Sequence, residues 1–509
     1  MPTIPANATF RFPIQVDQLL TLTGPTVTCR AVLSTQKGGD VVVDFNRQSL
    51  KSTPVFGLGV TGIVTITNGT NPLTYDLPAS VFPLAGQISG MSKISAGYRN
   101  AINNGTAMNR AVWSTESSTW GGTPIAGSIG FTTTGVSVNP VTTHRLYASN
   151  GGWAGGGTLN NTLNVLRPLT MEGGWVRTGT GTSFQAQAYI SGANIMSSFT
   201  QRYRFYTNDP EPVFYVLGNS SSYPIRVDGR ELTNPLVSPA GGGLHTVSLN
   251  LKGLANDIWP AMPGWHLIEF MQNGQDTVFA GVGVRLDYSI VPTAPRPVVA
   301  IFTDSVGNTS SGASPAAARA HYPSIMADMF DVDMRPLSAG GTGYINAGTF
   351  ETFINRIPLA EIQFRAAGVT PDLVIFAGGT NDSSNSSAAI STAVSRTIDA
   401  AQVQWPNTKI AVLGSWSASG AAPQAASLSA ELAIASAVSA YSGVAFVPLQ
   451  SDLPSPWATG TGTVETPGSP PNGTASRWFS NAGGSHPVGV GHRDYGAMLS
   501  HRIAVALGL

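Results

Sequence analysis

The sequence predicts a multidomain protein, with all-β domains up to about residue 294 and an α/β domain with a parallel sheet over 295–509. Three observations lead there. The chain has 509 residues, more than one core usually supports. It holds 58 Gly and 35 Pro, and only 11% of its residues are charged, against roughly 25% in an average soluble protein. That mixture suits strands joined by tight turns. The hydrophobic pattern then changes near Pro295-Arg296-Pro297.

Before that point, short alternating runs such as Asp40-Val41-Val42-Val43-Asp44-Phe45 and Gly62-Ile63-Val64-Thr65-Ile66-Thr67 are broken by Gly, Asn and Pro. Alternation with turn signals every ten residues or so reads as sandwiches. Residues 1–90 form a first β domain. Residues 91–160 form a Gly/Ser/Thr-rich β connector, with a helical stretch near 93–112 and with Trp113, Trp120 and Trp153. Residues 161–294 form a second sandwich, with strands at 203–206, 213–217, 225–228, 245–249 and 266–270.

After Pro297, Val298-Val299-Ala300-Ile301-Phe302 is continuously apolar, as expected of a strand buried on both faces. The pattern then gives helix 313–330, strand 334–339, helix 350–367, strand 372–376, helix 386–404, strand 410–413, helix 423–441, strand 444–449 and a terminal helix 489–507. Strands alternating with helices imply a parallel sheet with helices on both faces. Active sites in such sheets lie outside the carboxyl ends of the strands.

Composition excludes several functions. Lys plus Arg equals Asp plus Glu, 27 each, so there is no basic footprint for nucleic acid and no polybasic membrane patch. No stretch reaches the ~18 apolar residues of a membrane span. Cys29 is the only cysteine, so no intrachain disulfide forms and no cysteine-built zinc site exists; it reads as a small packing residue. His144, His245, His266, His321, His492 and His501 read as structural, without metal-ligand spacing. No metal or other cofactor is expected.

Four blocks fall where the chemistry should be. The first strand of the α/β domain ends in Thr303-Asp304-Ser305. The second is followed by Gly340-Gly341-Thr342-Gly343, and the third by Gly378-Gly379-Thr380-Asn381-Asp382. Gly483-Gly484-Ser485-His486-Pro487 precedes the last helix. In this order, on these elements, they resemble the SGNH (GDSL-type) hydrolase family. The resemblance covers about 297–509 and implies a flavodoxin-like three-layer domain. It implies Ser305 as nucleophile, His486 as base, and an oxyanion hole of the Ser305 and Gly341 N–H groups with the Asn381 amide. Gly340 is the alternative to Gly341, because the register between them is open.

Two positions depart from the family pattern. Thr303 replaces the usual Gly before Asp-Ser, a packing change. Gly483 stands where the family has Asp, so a Ser–His dyad oriented by a backbone carbonyl is expected, with Asp494 as the other candidate for orientation. Asp304 and Asp382 are expected to support the loops around the site.

The runs at 225–230, 243–249, 264–270 and 279–282 resemble the jelly-roll module that precedes the SGNH domain in carbohydrate esterase family 2. That implies an O-acylated, most simply O-acetylated, polysaccharide as substrate, with one of Trp416, Trp457 and Trp478 as a sugar-stacking platform. Residues 1–160 resemble phage tail fibres and tailspikes in composition. On that likeness the protein is extracellular or virion-associated, without a secretory signal peptide, homo-oligomeric and in contact with other virion proteins. Two readings compete: a catalytically inactive glycan-binding virion protein, and a lipid or small-ester hydrolase.

Overall fold

The computed structural model describes residues 321–416 (apart from 349, 367 and 368), 425–451 and 486–509. Between 200 and 307 it describes all but 218–221, 233–235, 238–243, 252–265, 274–277 and 294. It also describes Thr463, Glu465, Thr466, Trp478, Phe479, and residues 91, 94, 95 and 98, with a set of strands before residue 200.

Four of these strands form an antiparallel sheet in the order Asp40–Phe45, Val27–Ser34, Thr61–Asn68, Asn71–Leu77. Both runs singled out from their alternation are strands of it. Residues 91, 94, 95 and 98 are helical, which places part of the expected 93–112 helix; the rest lies outside the described residues. Ile94 and Tyr98 pack in the core of the C-terminal domain, and the Tyr98 hydroxyl lies 2.8 Å from His501 Nδ1.

Two larger antiparallel sheets follow. One includes Val213–Leu217, Leu244–Leu249 and Val278–Arg285; the other includes Thr200–Thr207, Ile225–Val227 and His266–Asn273. They share one core, in which Phe205, Ile268 and Phe270 of one sheet meet Phe214, Val247 and Val282 of the other. Phe214 stacks on Phe270 with ring centroids 5.0 Å apart. Phe131–Thr134 and His144–Ala148, within the span read as a connector, are strands of the first of these sheets.

Strand period places one set of side chains in the core and the other on the outside. Along Thr200–Thr207, Tyr203 and Phe205 face the core. Arg202 and Arg204 point the other way, toward ion pairs with Asp328 and with Glu172 and Glu269.

The C-terminal domain is a five-stranded sheet. Its strands are β1 (Val298–Thr303), β2 (Asp333–Ser338), β3 (Leu373–Ala377), β4 (Lys409–Leu413) and β5 (Val444–Val447), all parallel in the order β2-β1-β3-β4-β5. Its helices are α1 (Tyr322–Phe330), α2 (Phe353–Ala366), α3 (Ser387–Gln404), α4 (Ala425–Val438) and α5 (Gly489–Leu507). Alternate residues of β1 serve opposite faces. Val299 and Ile301 pack with α1 and α5 through Ile325, Met329, Leu499 and Ile503. Ala300 and Phe302 pack with α2, α3 and α4 through Phe353, Ile357, Val394 and Ile434. All six residues of β1 are buried, which is why its sequence does not alternate in polarity. The expected order of strands and helices is observed throughout; the part of the expected first helix before His321 lies outside the described residues.

The two-sheet module docks on α1 through charged side chains, most of them buried. Arg202 and Arg226 both bond Asp328, Arg226 in a two-point grip at 3.0 Å each. Arg296 bonds Glu172, and Asp331 at 2.9 Å. Among the described residues, no helix is long and apolar enough to cross a membrane.

Candidate active site

The carboxyl ends of β1, β2 and β3 converge, as the sheet order requires. β1 runs out at Thr303, and Asp304 Oδ1 accepts a hydrogen bond from Val306 N at 2.9 Å. This Asx-type turn presents Ser305 half-buried at the rim. Thr303 is itself buried, and its Oγ1 accepts from Tyr322 Oη at 2.6 Å. A Cβ at Gly307 would lie 2.1 Å from the Thr303 methyl, so Gly307 provides the room that a residue larger than Gly at 303 requires.

His486 enters from the loop before α5. That loop is held by Val488 N donating to Trp478 O at 2.8 Å and by a bridge between Phe479 and Pro487. His486 Nε2 lies 2.8 Å from Ser305 Oγ, across 181 residues of sequence. With the ring proton on Nδ1, the serine hydroxyl donates to Nε2, the arrangement of a hydroxyl and its base.

Asn381 sits in the 3₁₀ turn Thr380–Asp382 after β3. Gly379 enters that turn at φ 109°, and a Cβ there would lie 2.7 Å from Ile434 Cδ1. Asn381 Nδ2 donates to Thr342 O at 2.9 Å and, more weakly, to Asp304 Oδ2 at 3.3 Å. One amide thus touches the residue after Gly341 and the residue before Ser305. Gly341 is exposed and adopts φ +71°. The structure therefore brings together Ser305, His486, Asn381 and the Gly341 loop.

Asp382 is fully buried and braces the loop after Gly341 rather than its own. It accepts from Tyr344 N at 2.7 Å, Ile345 N at 3.1 Å and Asn346 N at 2.9 Å. Asp304 is buried, and desolvation pushes its carboxyl up to about 6. Asp494 accepts from Trp478 Nε1 at 3.0 Å.

Burial overturns two of the three residues expected as an aromatic platform. Trp416 and Trp478 are only 4% and 2% exposed. Trp416 packs edge-on against Phe479 and Tyr495, and neither ring has a face open to a sugar. Trp457 lies outside the described residues. His492, read as structural, stacks on His321 with centroids 4.2 Å apart. Burial holds His321 down to about 3 and His492 well below the ordinary imidazole value.

Two residues were not anticipated. Glu431 is buried and accepts from Leu449 N at 3.0 Å and from Gln450 N and Ser451 N, so it fastens the chain leaving β5. Arg356, also fully buried, reaches the β1 and β2 ends from α2. The signal for both was a charge on an apolar stripe: Arg356 within Phe353–Ile357–Ala360–Phe364, and Glu431 within Ser427–Ala430–Ile434–Val438. Among the described residues, no group of three or more His, Cys, Asp or Glu is placed to hold a metal ion.

No protein-family model matches the chain, and no curated protein matches it. Solved structures do. A family two carbohydrate esterase from Clostridium thermocellum, in complex with cellohexaose, aligns over 67% of this chain and 99% of its own, at 17% identity and TM-score 0.43. One from Cellvibrio japonicus aligns over 75% and 99%, at 12% identity and TM-score 0.45. A salicylyl-acyltransferase from a tetracycline biosynthetic pathway aligns over 67% and 95%, at 15% identity and TM-score 0.46. These are distant likenesses, and the chemistry is read from the side chains.

Proposed function

We propose that the C-terminal domain is a serine esterase of the SGNH type that removes O-acyl groups, most simply O-acetyl, from a polysaccharide. The single observation that carries this reading is the 2.8 Å contact between Ser305 Oγ and His486 Nε2. In the reaction, Ser305 Oγ attacks the ester carbonyl while His486 Nε2 takes its proton. His486 returns that proton to the leaving alcohol, and an acyl-Ser305 ester remains. Water then attacks the acyl-enzyme, with His486 acting as base a second time.

The oxyanion of each tetrahedral intermediate is met by the N–H groups of Ser305 and Gly341 and by Asn381 Nδ2. Asn381 keeps its 2.9 Å bond to Thr342 O, and its longer contact with Asp304 is the one that yields to the oxyanion. We read the pair as a Ser–His dyad. Gly483 stands at the family's acid position, and Asp494 is engaged by the Trp478 indole.

The sugar specificity rests on reading the two-sheet module as a jelly roll of the kind that precedes carbohydrate esterases. The virion association of residues 1–160 rests on their composition alone. The test is acetate release from p-nitrophenyl acetate and from acetylated polysaccharides. Wild type is expected to hydrolyse both. Ser305→Ala and His486→Ala are each expected to lose at least about 10³-fold in kcat. Equal rates in wild type and Ser305→Ala would end the esterase reading.

A further inference from the structure

Arg356 is 0% exposed. Its guanidinium lies over the Phe353 ring, 4.8 Å from the centroid. Among the described residues it makes no ion pair with a carboxylate, and its Nε finds no acceptor. Burial lowers it to about 9, opposed by the nearby charge of Asp304. A guanidinium held in this way is unfavourable for folding, and apolar replacements of buried ions are often neutral or stabilising. Stability therefore does not account for its presence, and its hydrogen bonds indicate what does.

Nη1 donates to Thr303 O at 3.2 Å and to Leu337 O at 2.5 Å. Nη2 donates to Thr342 Oγ1 at 3.0 Å, and that hydroxyl in turn donates to Ala339 O at 2.8 Å. Thr303 is two residues before Ser305. Thr342 follows Gly341, and its carbonyl holds the Asn381 amide. Each acceptor of the guanidinium is thus within two residues of an oxyanion donor or in the segment leading to one.

We propose that Arg356 is a positioning residue of the oxyanion site: from α2 it ties the end of β1, the end of β2 and the Gly341–Thr342 turn into one geometry. The planar fork makes this possible, because five N–H groups in fixed directions can reach acceptors on separate strands. A lysine ammonium on a flexible stem could not hold all three at once. The role rests on the esterase reading, and it adds to that reading a residue that never touches the substrate.

The experiment compares Arg356→Met, Thr342→Val and Thr342→Ser with wild type on p-nitrophenyl acetate. Reactive sites are titrated in each sample with diisopropyl fluorophosphate, and kcat is expressed per labelled Ser305. Arg356→Met and Thr342→Val are expected to lose about tenfold to hundredfold in that kcat, since a displacement near 1 Å can cost 10²-fold. KM is expected to stay within about twofold. Thr342→Ser, which keeps the hydroxyl acceptor, is expected to recover most of the loss.

Wild-type kcat per labelled site in Arg356→Met, or an equal loss in Thr342→Ser and Thr342→Val, would overturn the positioning role while leaving the esterase reading intact. A wild type that neither hydrolyses ester nor takes up the label would overturn both. Should Arg356→Met fail to fold, Arg356→Lys takes its place, keeping the cation but not the fork, with the same loss expected and wild-type kcat per labelled site overturning the role. The Thr342 hydroxyl also donates to Ala339 O, so its variants alone do not isolate the arginine.

Discussion

Where the two-sheet module meets α1, every buried arginine has a carboxylate. Arg202 and Arg226 close on Asp328, Arg204 on Glu172 and Glu269, and Arg296 on Glu172 and Asp331. At the carboxyl ends of β1 and β2, Arg356 and Asp304 are buried as deeply, yet Arg356 bonds only neutral oxygens and Asp304 accepts from Val306 N and the Asn381 amide. The first cluster compensates the desolvation of each charge and so joins two modules. The second gives Arg356 and Asp304 no direct ionic partner, only each other's charge at longer range, beside the Ser305–His486 pair, where a fixed field and fixed donors serve a reaction. These two clusters thus put buried charge to different uses, and the partner of each charge distinguishes them.

The comparison can be broken most forcefully at Asp328. Asp328→Ala removes the carboxylate that the Arg202 and Arg226 guanidinium groups share, and breaking a buried pair in this way costs about 3–5 kcal/mol. Urea unfolding of the full chain checks this. A loss below about 1 kcal/mol would mean that the interface charges are not the adhesive described here.

The stacked pair His321 and His492 sharpens the contrast by carrying no charge at all. For His321 the folded value, about 3, lies below the ordinary 6.5. Its contribution to stability is therefore complete above pH 6.5 and is lost as pH falls from 6.5 toward 3. Below 6.5 the unfolded state takes a proton that the folded state refuses, at about 1.4 kcal/mol for each pH unit per group. Asp304 acts in the opposite sense. Raised to about 6, it gains stability as pH falls from 6 to 3.8 and offsets part of the loss. Thermal unfolding between pH 7 and pH 4.5 is expected to show a falling midpoint in wild type, with a shallower slope in His321→Phe. Equal slopes would contradict the neutral-pair account.

The smallest effect belongs to the Arg285–Glu211 pair, at 3.4 Å with side chains 33% and 35% exposed. Screening leaves such a pair about 0–1 kcal/mol, so Glu211→Ala should barely move the unfolding midpoint. A large shift there would blur the distinction between buried and exposed pairs.

Much of the C-terminal domain was legible in the sequence because each of its elements is local. The run Val298–Phe302 could only be a strand covered on both faces, and the helices carry apolar stripes. Ser305 and Asn381 stood after strands that pair in the sheet, and it was the resemblance to the SGNH pattern that implied His486 would join them. Long-range partners were not legible. Nothing near Asp382 in sequence says that it will hold Tyr344, Ile345 and Asn346, and nothing near Arg202 names Asp328. Tryptophans after a strand looked like rim residues, but Tyr495 and Phe479 enclose Trp416 from α5 and the preceding loop. Arg356 and Glu431 were visible only as charges out of place on apolar helix faces. Such a mismatch between local pattern and residue type is a signal of a functional or strained position.

The most direct measurement is to trap the acyl-enzyme. The full chain is mixed with p-nitrophenyl acetate and quenched in acid within the first turnover, and the digest is read by mass spectrometry. The account predicts the mass of one acetyl group on the peptide that carries Ser305, and none on that peptide from Ser305→Ala. Ester hydrolysis with no acetyl on Ser305, or with the adduct on another residue, would contradict it.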